Sequence, residues 1–355
     1  MLEQEPLASR HSQFAARGSI INVASQAGLM GNPNLPAYVA SKHGVIGLSK
    51  SDGLKFGAQG IRHLSRLGRE TQSEQSYVMA ESKVALITGG ASGMGLATGK
   101  YLLKQGWKLT IVDMNAEVGE KLASELGALF VKADVTVYDD IANAFARSWK
   151  EFGRLDFVFA NAGILGKSNF YAKQTENEKG IPPPPDLLAS KVMYDGMILT
   201  VYLAQHFLRK NTVPGGSIVI LASSGGIYPS PRNPLYSASK AGAIGMTRSI
   251  AEGLAGENIH VSCICPGSVA TGLMTAQQFQ SLDQDTFTTT EQIAETVGML
   301  LKREESTRGA AVEVIKDRHY LRWRPDYCDA NMERCWKSMG GSTTTRDGGL
   351  SVPQA

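Results

Sequence analysis

The sequence predicts an α/β protein built on a doubly wound parallel sheet, and three observations carry that expectation. Short apolar runs of strand length alternate with helix-length amphipathic stretches over residues 83–315. A glycine-rich corner, Thr88-Gly89-Gly90-Ala91-Ser92-Gly93-Met94-Gly95, joins the first apolar run to the first helix-like stretch. A carboxylate, Asp113, ends the next apolar run about 20 residues further on.

Taken in order, a buried-strand run at 83–87 opens into the glycine corner, and a helix follows to 105. Glycines at such a corner let the backbone approach a pyrophosphate, whose charge then sits on the amides of the helix N-terminus. The second strand, 109–112, ends in Asp113, placed to bind a ribose 2′-hydroxyl and to repel a 2′-phosphate. That placement favours NAD over NADP. Next come a helix at 116–126, a strand at 128–132 leading to Asp134-Val135, a helix at 139–152, and a strand at 157–159 leading to Asn161-Ala162-Gly163. The segment 165–185, with four consecutive prolines, is too long and irregular for an ordinary connection and reads as a surface loop or insertion.

A helix at about 187–209 precedes an apolar strand from Gly216, the pair Ser223-Ser224, a Gly/Pro-rich loop, and Tyr236-Ser237-Ala238-Ser239-Lys240. A tyrosine and a lysine four apart on a helix share a face, so the ammonium can sit close to the phenol. A free phenol titrates near about 10, too high for a base at neutral pH, and an adjacent cation lowers that value. Tyr236 therefore reads as an acid/base group, Lys240 as its tuner, and a preceding serine hydroxyl as a donor to a substrate oxygen. The strand at 259–264 ends in Pro266-Gly267-Ser268-Val269-Ala270-Thr271. A helix near 291–302 and a last strand at 311–315 close the domain; beyond Asp317 no period is convincing, and the Gly/Ser/Thr-rich end from Ser338 reads as disordered.

The bulk composition excludes several classes. A net charge of +3, not gathered into a long run, argues against a dedicated nucleic-acid binder. The four cysteines have no zinc-ligand spacing and make no disulfide framework, which leaves reduced thiols in a cytoplasmic protein with no metal site. The N-terminus has charges and no apolar core, so it is no secretory signal, and the most apolar run, 197–204, is too short to span a bilayer.

An internal repeat precedes all of this. Residues 18–61 repeat 216–259 at a constant offset of 198, with Gly18 on Gly216, Ser25 on Ser223, Tyr38 on Tyr236 and Lys42 on Lys240. No phosphate-binding corner precedes this copy, so Tyr38 and Lys42 are not expected to do chemistry. The expected organisation is a polar leader, truncated fragment (18–62) and linker over 1–78, a complete single catalytic domain over 79–317, and a C-terminal extension over 318–355. The fragment reads as the tail of a second copy fused upstream, by tandem duplication or a gene-model join, in which case a native chain would start at Met79.

As a set these residues resemble the short-chain dehydrogenase/reductase family, in its classical NAD-dependent branch, and look most like its 15-hydroxyprostaglandin dehydrogenase-like alcohol dehydrogenases. Five motifs occur in the family's order: Thr88-Gly-x-x-x-Gly-x-Gly95, Asp134-Val135, Asn161-Ala-Gly163, Ser223 with Tyr236 and Lys240, and Pro266-Gly-x-x-x-Thr271. The resemblance implies a Rossmann-type fold and an NAD-dependent oxidoreductase interconverting a secondary alcohol and a ketone. Tyr236 would take the hydroxyl proton, Ser223 would hold the oxygen, and Lys240 would also bind the nicotinamide ribose. The cofactor set it implies is Gly89, Ser92, Gly93, Met94, Gly95, Asp113, Asp134, Val135, Asn161, Gly163, Tyr236, Lys240, Pro266, Gly267, Val269 and Thr271, with Asp134 and Val135 at the adenine and Val269 and Thr271 at the carboxamide. Ser223 is the family serine by its spacing of 13 from Tyr236, with Ser224 as the fallback. The partners implied are a small-molecule alcohol or ketone and further copies of the chain, as a homodimer or homotetramer built on the helices at 187–209 and 235–254, with no nucleic acid and no membrane. One departure is marked: Met193 stands where the family carries an asparagine that positions a relay water, and a thioether cannot replace an amide's hydrogen bonds. A non-catalytic NAD-binding protein is therefore the alternative reading.

Overall fold

The structure is a computed structural model that describes residues 82–166, 169–272 and 280–340, together with two strands nearer the N-terminus. The chain divides into two compact units, 1–79 and 80–355. In the first, β1 (Gly18–Ser25) and β2 (Ile61–Gly68) pair in parallel, with Gly18 opposite Ile61. Tyr38 and Lys42 lie outside the described residues, as does the tail beyond 340.

The second unit is an eight-stranded sheet in the order β10-β9-β8-β7-β6-β3-β4-β5. Its strands are β3 (Val84–Thr88), β4 (Lys108–Asp113), β5 (Leu129–Lys132), β6 (Phe157–Ala160), β7 (Gly216–Leu221), β8 (Ile259–Pro266), β9 (Ala311–Ile315) and β10 (Arg318–Arg322). Every pairing is parallel except β9 with β10. This is the expected Rossmann-type doubly wound sheet. Strands β3, β6, β7 and β8 are buried along their whole length, as strands covered on both faces must be.

Alternate residues of each strand feed opposite layers. Leu86, Val158, Ile220 and Cys263 pack under α3 (Tyr138–Phe152), α4 (Gly196–Arg209) and α5 (Pro234–Gly253). Ile87, Phe159, Val219 and Ile264 pack under α1 (Gly93–Lys104), α2 (Ala116–Leu126) and α6 (Thr290–Leu300). Local signals set the helix ends. Asn115 caps α2 through a hydrogen bond from Val118 N, Asn233 caps α5 at Tyr236 N with Pro234 in the first turn, and Thr289 with Gln292 forms a capping box on α6. The chain reverses direction across the sheet beside β3, so the carboxyl ends of β3 and β6 open a crevice at the switch point.

Three features differ from expectation. The sheet does not end with β9: β10 folds back antiparallel on it, beyond the boundary expected at Asp317. Its residues, Arg-His-Tyr-Leu-Arg, carry too few apolar positions to announce a strand, because only Leu321 is buried and the rest lie at the sheet edge. A further helix, α7 (Ala330–Ser338), follows, with no buried residue and therefore no core-facing stripe to betray it. The expected helix at 187–209 begins with a short helical turn, Leu188–Ser190, and a π-helical turn, Lys191–Asp195, before α4 proper. Among the described residues no helix is long and apolar enough to cross a membrane. The four cysteines are free thiols, Cys263 and Cys265 buried and Cys328 and Cys335 exposed.

Candidate active site

A cavity of about 570 Å³ lies along the carboxyl ends of the strands. At its β3 end, Thr88 and Asn161 tie two strand ends together: Asn161 N donates to Thr88 Oγ1 at 3.1 Å, and its side-chain Nδ2 donates to the carbonyls of Thr88 and Gly89 at 2.9 and 3.0 Å. The Asn161 Oδ1 is buried without a partner. Gly89 turns the corner at φ +63° and Gly93 at φ +50°, both in the left-handed region that favours glycine. The N-cap of α1, Ser92, makes no side-chain cap, so the first amides of the helix are left to whatever enters the cavity.

Gly95 stands apart from Gly89 and Gly93. It does not line the cavity; a Cβ there would lie 2.3 Å from Gly89 O and 2.6 Å from Asn161 Nδ2. Its role is to let the helix close on the corner behind the ligand space.

Asp113 ends β4 on the cavity wall. Its Oδ2 accepts from Ala91 N at 3.1 Å and its Oδ1 from Asn115 N at 3.1 Å, which fixes the carboxylate between the glycine corner and α2. Asp134 and Val135 follow β5, and the Asp134 carboxylate is committed to its own turn through Thr136 N and Thr136 Oγ1, each at 2.8 Å. Gly163, Pro266, Gly267, Val269 and Thr271 line the same space from the ends of β6 and β8.

At the other end stand Ser223, Tyr236 and Lys240. Ser223 is buried just past β7, accepts a hydrogen bond from Gly225 N at 3.1 Å, and its hydroxyl reaches the Tyr236 phenol. Ser224 does not line the cavity. The loop between them is held down twice: Ser237 Oγ donates to Gly225 O at 2.6 Å, and Tyr228 accepts from Arg322 at 2.9 Å while donating to Glu313 at 3.2 Å. The strand β10 thus tethers the loop that carries the serine.

Lys240 reaches past the Tyr236 ring to the end of β7. Its Nζ donates to the carbonyl of Leu221 at 2.7 Å and lies 5.9 Å from the centroid of the tyrosine ring. Burial pushes the ammonium down to about 8. The Tyr236 phenol is itself pushed above its ordinary value, first by burial and then by the neighbouring Cys265 thiol, with the Ser223 hydroxyl pulling the other way. The helix puts the two stems on one face, and the lysine stem then runs on to the strand end. A backbone acceptor such as Leu221 O carries no residue-type signal, so the sequence could not show it.

Met193 lies in the π-helical turn, 4% exposed, and lines the cavity beside Val192. Ile164, Leu165 and Leu188, none of them in the expected site set, complete an apolar wall. Their signal was there: these are apolar residues within or beside an irregular, proline-rich segment.

The family model for the short chain dehydrogenase matches residues 7–65 and 83–281. The chain belongs to the short-chain dehydrogenase/reductase family. Such a protein is an oxidoreductase with an NAD(P)-binding Rossmann fold. The short-chain dehydrogenase/reductase prx7 of Penicillium rubens is 39% identical over 264 residues, covering 67% of this chain and 93% of that protein. Human 15-hydroxyprostaglandin dehydrogenase [NAD(+)] is 32% identical over 202 residues, 54% of this chain and 70% of that one. Among solved structures, the 3-ketoacyl-(acyl-carrier-protein) reductase from Brucella melitensis complexed with NADH is 27% identical, with a TM-score of 0.58 over 66% of this chain and 97% of that one.

Proposed function

We propose that this short-chain dehydrogenase/reductase interconverts a secondary alcohol and a ketone with NAD, using Tyr236 as acid/base. The observation that carries the reading is convergence: Ser223, Tyr236 and Lys240 stand at one end of a single cavity whose other end holds Asp113 and the uncapped N-terminus of α1.

The residues present fit the cofactor. The open corner at Gly89 and Gly93, the unpartnered Asn161 Oδ1 and the fixed Asp113 carboxylate offer, in turn, backbone approach and donors for a pyrophosphate, an acceptor for a polar group, and an acceptor for a ribose hydroxyl. Ser92, Met94, Asp134, Val135, Gly163, Pro266, Gly267, Val269 and Thr271 would line its remaining length, with Gly95 supporting the corner from behind. A bound nicotinamide supplies the hydride acceptor for oxidation and the donor for reduction.

In oxidation the Tyr236 phenolate takes the hydroxyl proton while the carbinol C–H bond breaks and the carbon–oxygen double bond forms. Ser223 donates a hydrogen bond to the same oxygen, with Gly225 N fixing its rotamer. Lys240, held at Leu221 O, presents positive charge near the phenol and a donor to a ribose hydroxyl.

This assignment sets the sign of the pH dependence. Tyr236 must be ionised to accept a proton, and burial raises its phenol, so oxidation at low substrate is expected to be slow at neutral pH and to climb as the pH rises into the alkaline range. Ketone reduction needs the neutral phenol and is expected to stay level and then fall. Steady-state rates with NAD and uncharged secondary alcohols check this; an oxidation rate independent of pH, with a deuterium isotope effect showing that chemistry limits it, would remove Tyr236 from the role.

We further infer that residues 18–62 are a truncated second copy of the catalytic region. Supporting it, β1 pairs with β2 in the register of β7 with β8, Gly18 on Ile61 and Gly216 on Ile259, each shifted by 198. The described residues that line the cavity belong to the second unit. Removing residues 1–79 is expected to change NADH affinity by less than about twofold, as for an independent unit; a larger loss would give the first unit a share in the site.

A further inference from the structure

The substrate end of the cavity differs in chemistry from the end assigned to the cofactor. Beside Ser223 and Tyr236 its wall is Ile164, Leu165, Leu188, Val192 and Met193. Among the described residues the charged groups lining the cavity are Asp113, Asp134 and Lys240. Both carboxylates stand after β4 and β5, at the opposite end from Ser223, and the Lys240 ammonium is buried and bonded to Leu221 O. Among the described residues that line this end, no guanidinium or second ammonium is available to pair with a substrate carboxylate or phosphate.

The rim continues the pattern. Leu188 is 56% exposed, Ile164 37% and Leu165 36%, so apolar surface is left open at the mouth of the cavity. The same connection between β6 and α4 also exposes Phe170, Tyr171 and Ile181. Large apolar side chains crowded on an exposed, irregular segment mark a surface that meets an apolar ligand. Inside, the flexible thioether of Met193 lies against Gly163, where an added Cβ would come 3.5 Å from its Cγ, and brings to the pocket none of the hydrogen bonds an amide or a charged side chain would.

We propose that the substrate is an uncharged, largely apolar secondary alcohol or the corresponding ketone. Its hydrocarbon part lies on Ile164, Leu165, Leu188 and Met193, and its one polar group meets Ser223 and Tyr236. The proposal rests on the dehydrogenase reading, since it places the reacting oxygen at those two residues. A substrate ending in a carboxylate or phosphate would have to desolvate that charge against the same wall without a partner.

The test uses the full chain saturated with NAD, which cannot reduce a ketone, and titrated by calorimetry with two matched probes, a ten-carbon methyl ketone and the same chain ending in a carboxylate at its far end. The uncharged ketone is expected to bind at least about 30-fold more tightly, and each methylene added to it should tighten binding by about fourfold until the wall is covered. Leu188→Arg, at an exposed position where the fold tolerates the change, should narrow the preference by about tenfold by giving the carboxylate a partner. Equal or tighter binding of the carboxylate by the wild type, no binding of either probe to the NAD complex, or an unchanged preference in Leu188→Arg would each overturn the proposal. Failure of NAD itself to bind would instead sink the dehydrogenase reading, and the substrate class with it.

Discussion

Tyr236→Phe is expected to lower turnover about a thousandfold while leaving NADH affinity close to that of the wild type. The phenol is the group at the cavity end that can both give and take a proton, being in reach of the Ser223 hydroxyl and within 5.9 Å, by its ring centroid, of the Lys240 ammonium. Phenylalanine keeps the ring that packs beside Gly225, so the loop and helix α5 hold their places. Loss of the hydroxyl then removes proton transfer and little else. Single-turnover rates and an NADH titration on the same preparation separate the two effects. A drop of less than about tenfold would mean that another group carries the proton.

Asp113→Ala is expected to weaken NADH binding by about 30-fold and to raise NADPH binding, so that the preference between them narrows or reverses. The Asp113 carboxylate is fixed at the end of β4 by the amides of Ala91 and Asn115, which leaves its remaining lone pairs for a ligand in the cavity. Its negative charge would face a 2′-phosphate directly. Alanine removes the repulsion and also the acceptor that steadies Ala91 in the glycine corner, so the loss for NADH includes some loosening of the corner. Asp113→Asn, which keeps an acceptor for one amide, isolates the charge: it should recover part of the NADH affinity and still admit NADPH. Equal affinities for both cofactors in the wild type and both variants would show that Asp113 does not meet the ribose.

Much of this fold was legible in the sequence because buried parallel strands and their helices leave strong periodic signals. The runs at Val84–Thr88 and Phe157–Ala160 are apolar on both faces, and the corner between β3 and α1 needs glycine at φ values that other residues avoid. What escaped was structure made by backbone or by edge. Strand β10 pairs through main chain with one buried side chain, Leu321, and helix α7 buries nothing. The same holds within the site. Sequence spacing brought Ser223, Tyr236 and Lys240 to one end of one cavity, yet could not show that Lys240 runs to Leu221 O, because the acceptor is a carbonyl that every residue possesses. Nor could spacing tell a glycine that faces the ligand space from one that packs behind it, as Gly93 and Gly95 do.

The most direct measurement is a calorimetric titration of the purified chain with NADH and, in parallel, with NADPH. Saturable NADH binding at one site per chain, at least about tenfold tighter than NADPH, is the predicted result. Folded protein that binds neither cofactor, or that prefers NADPH, would contradict it.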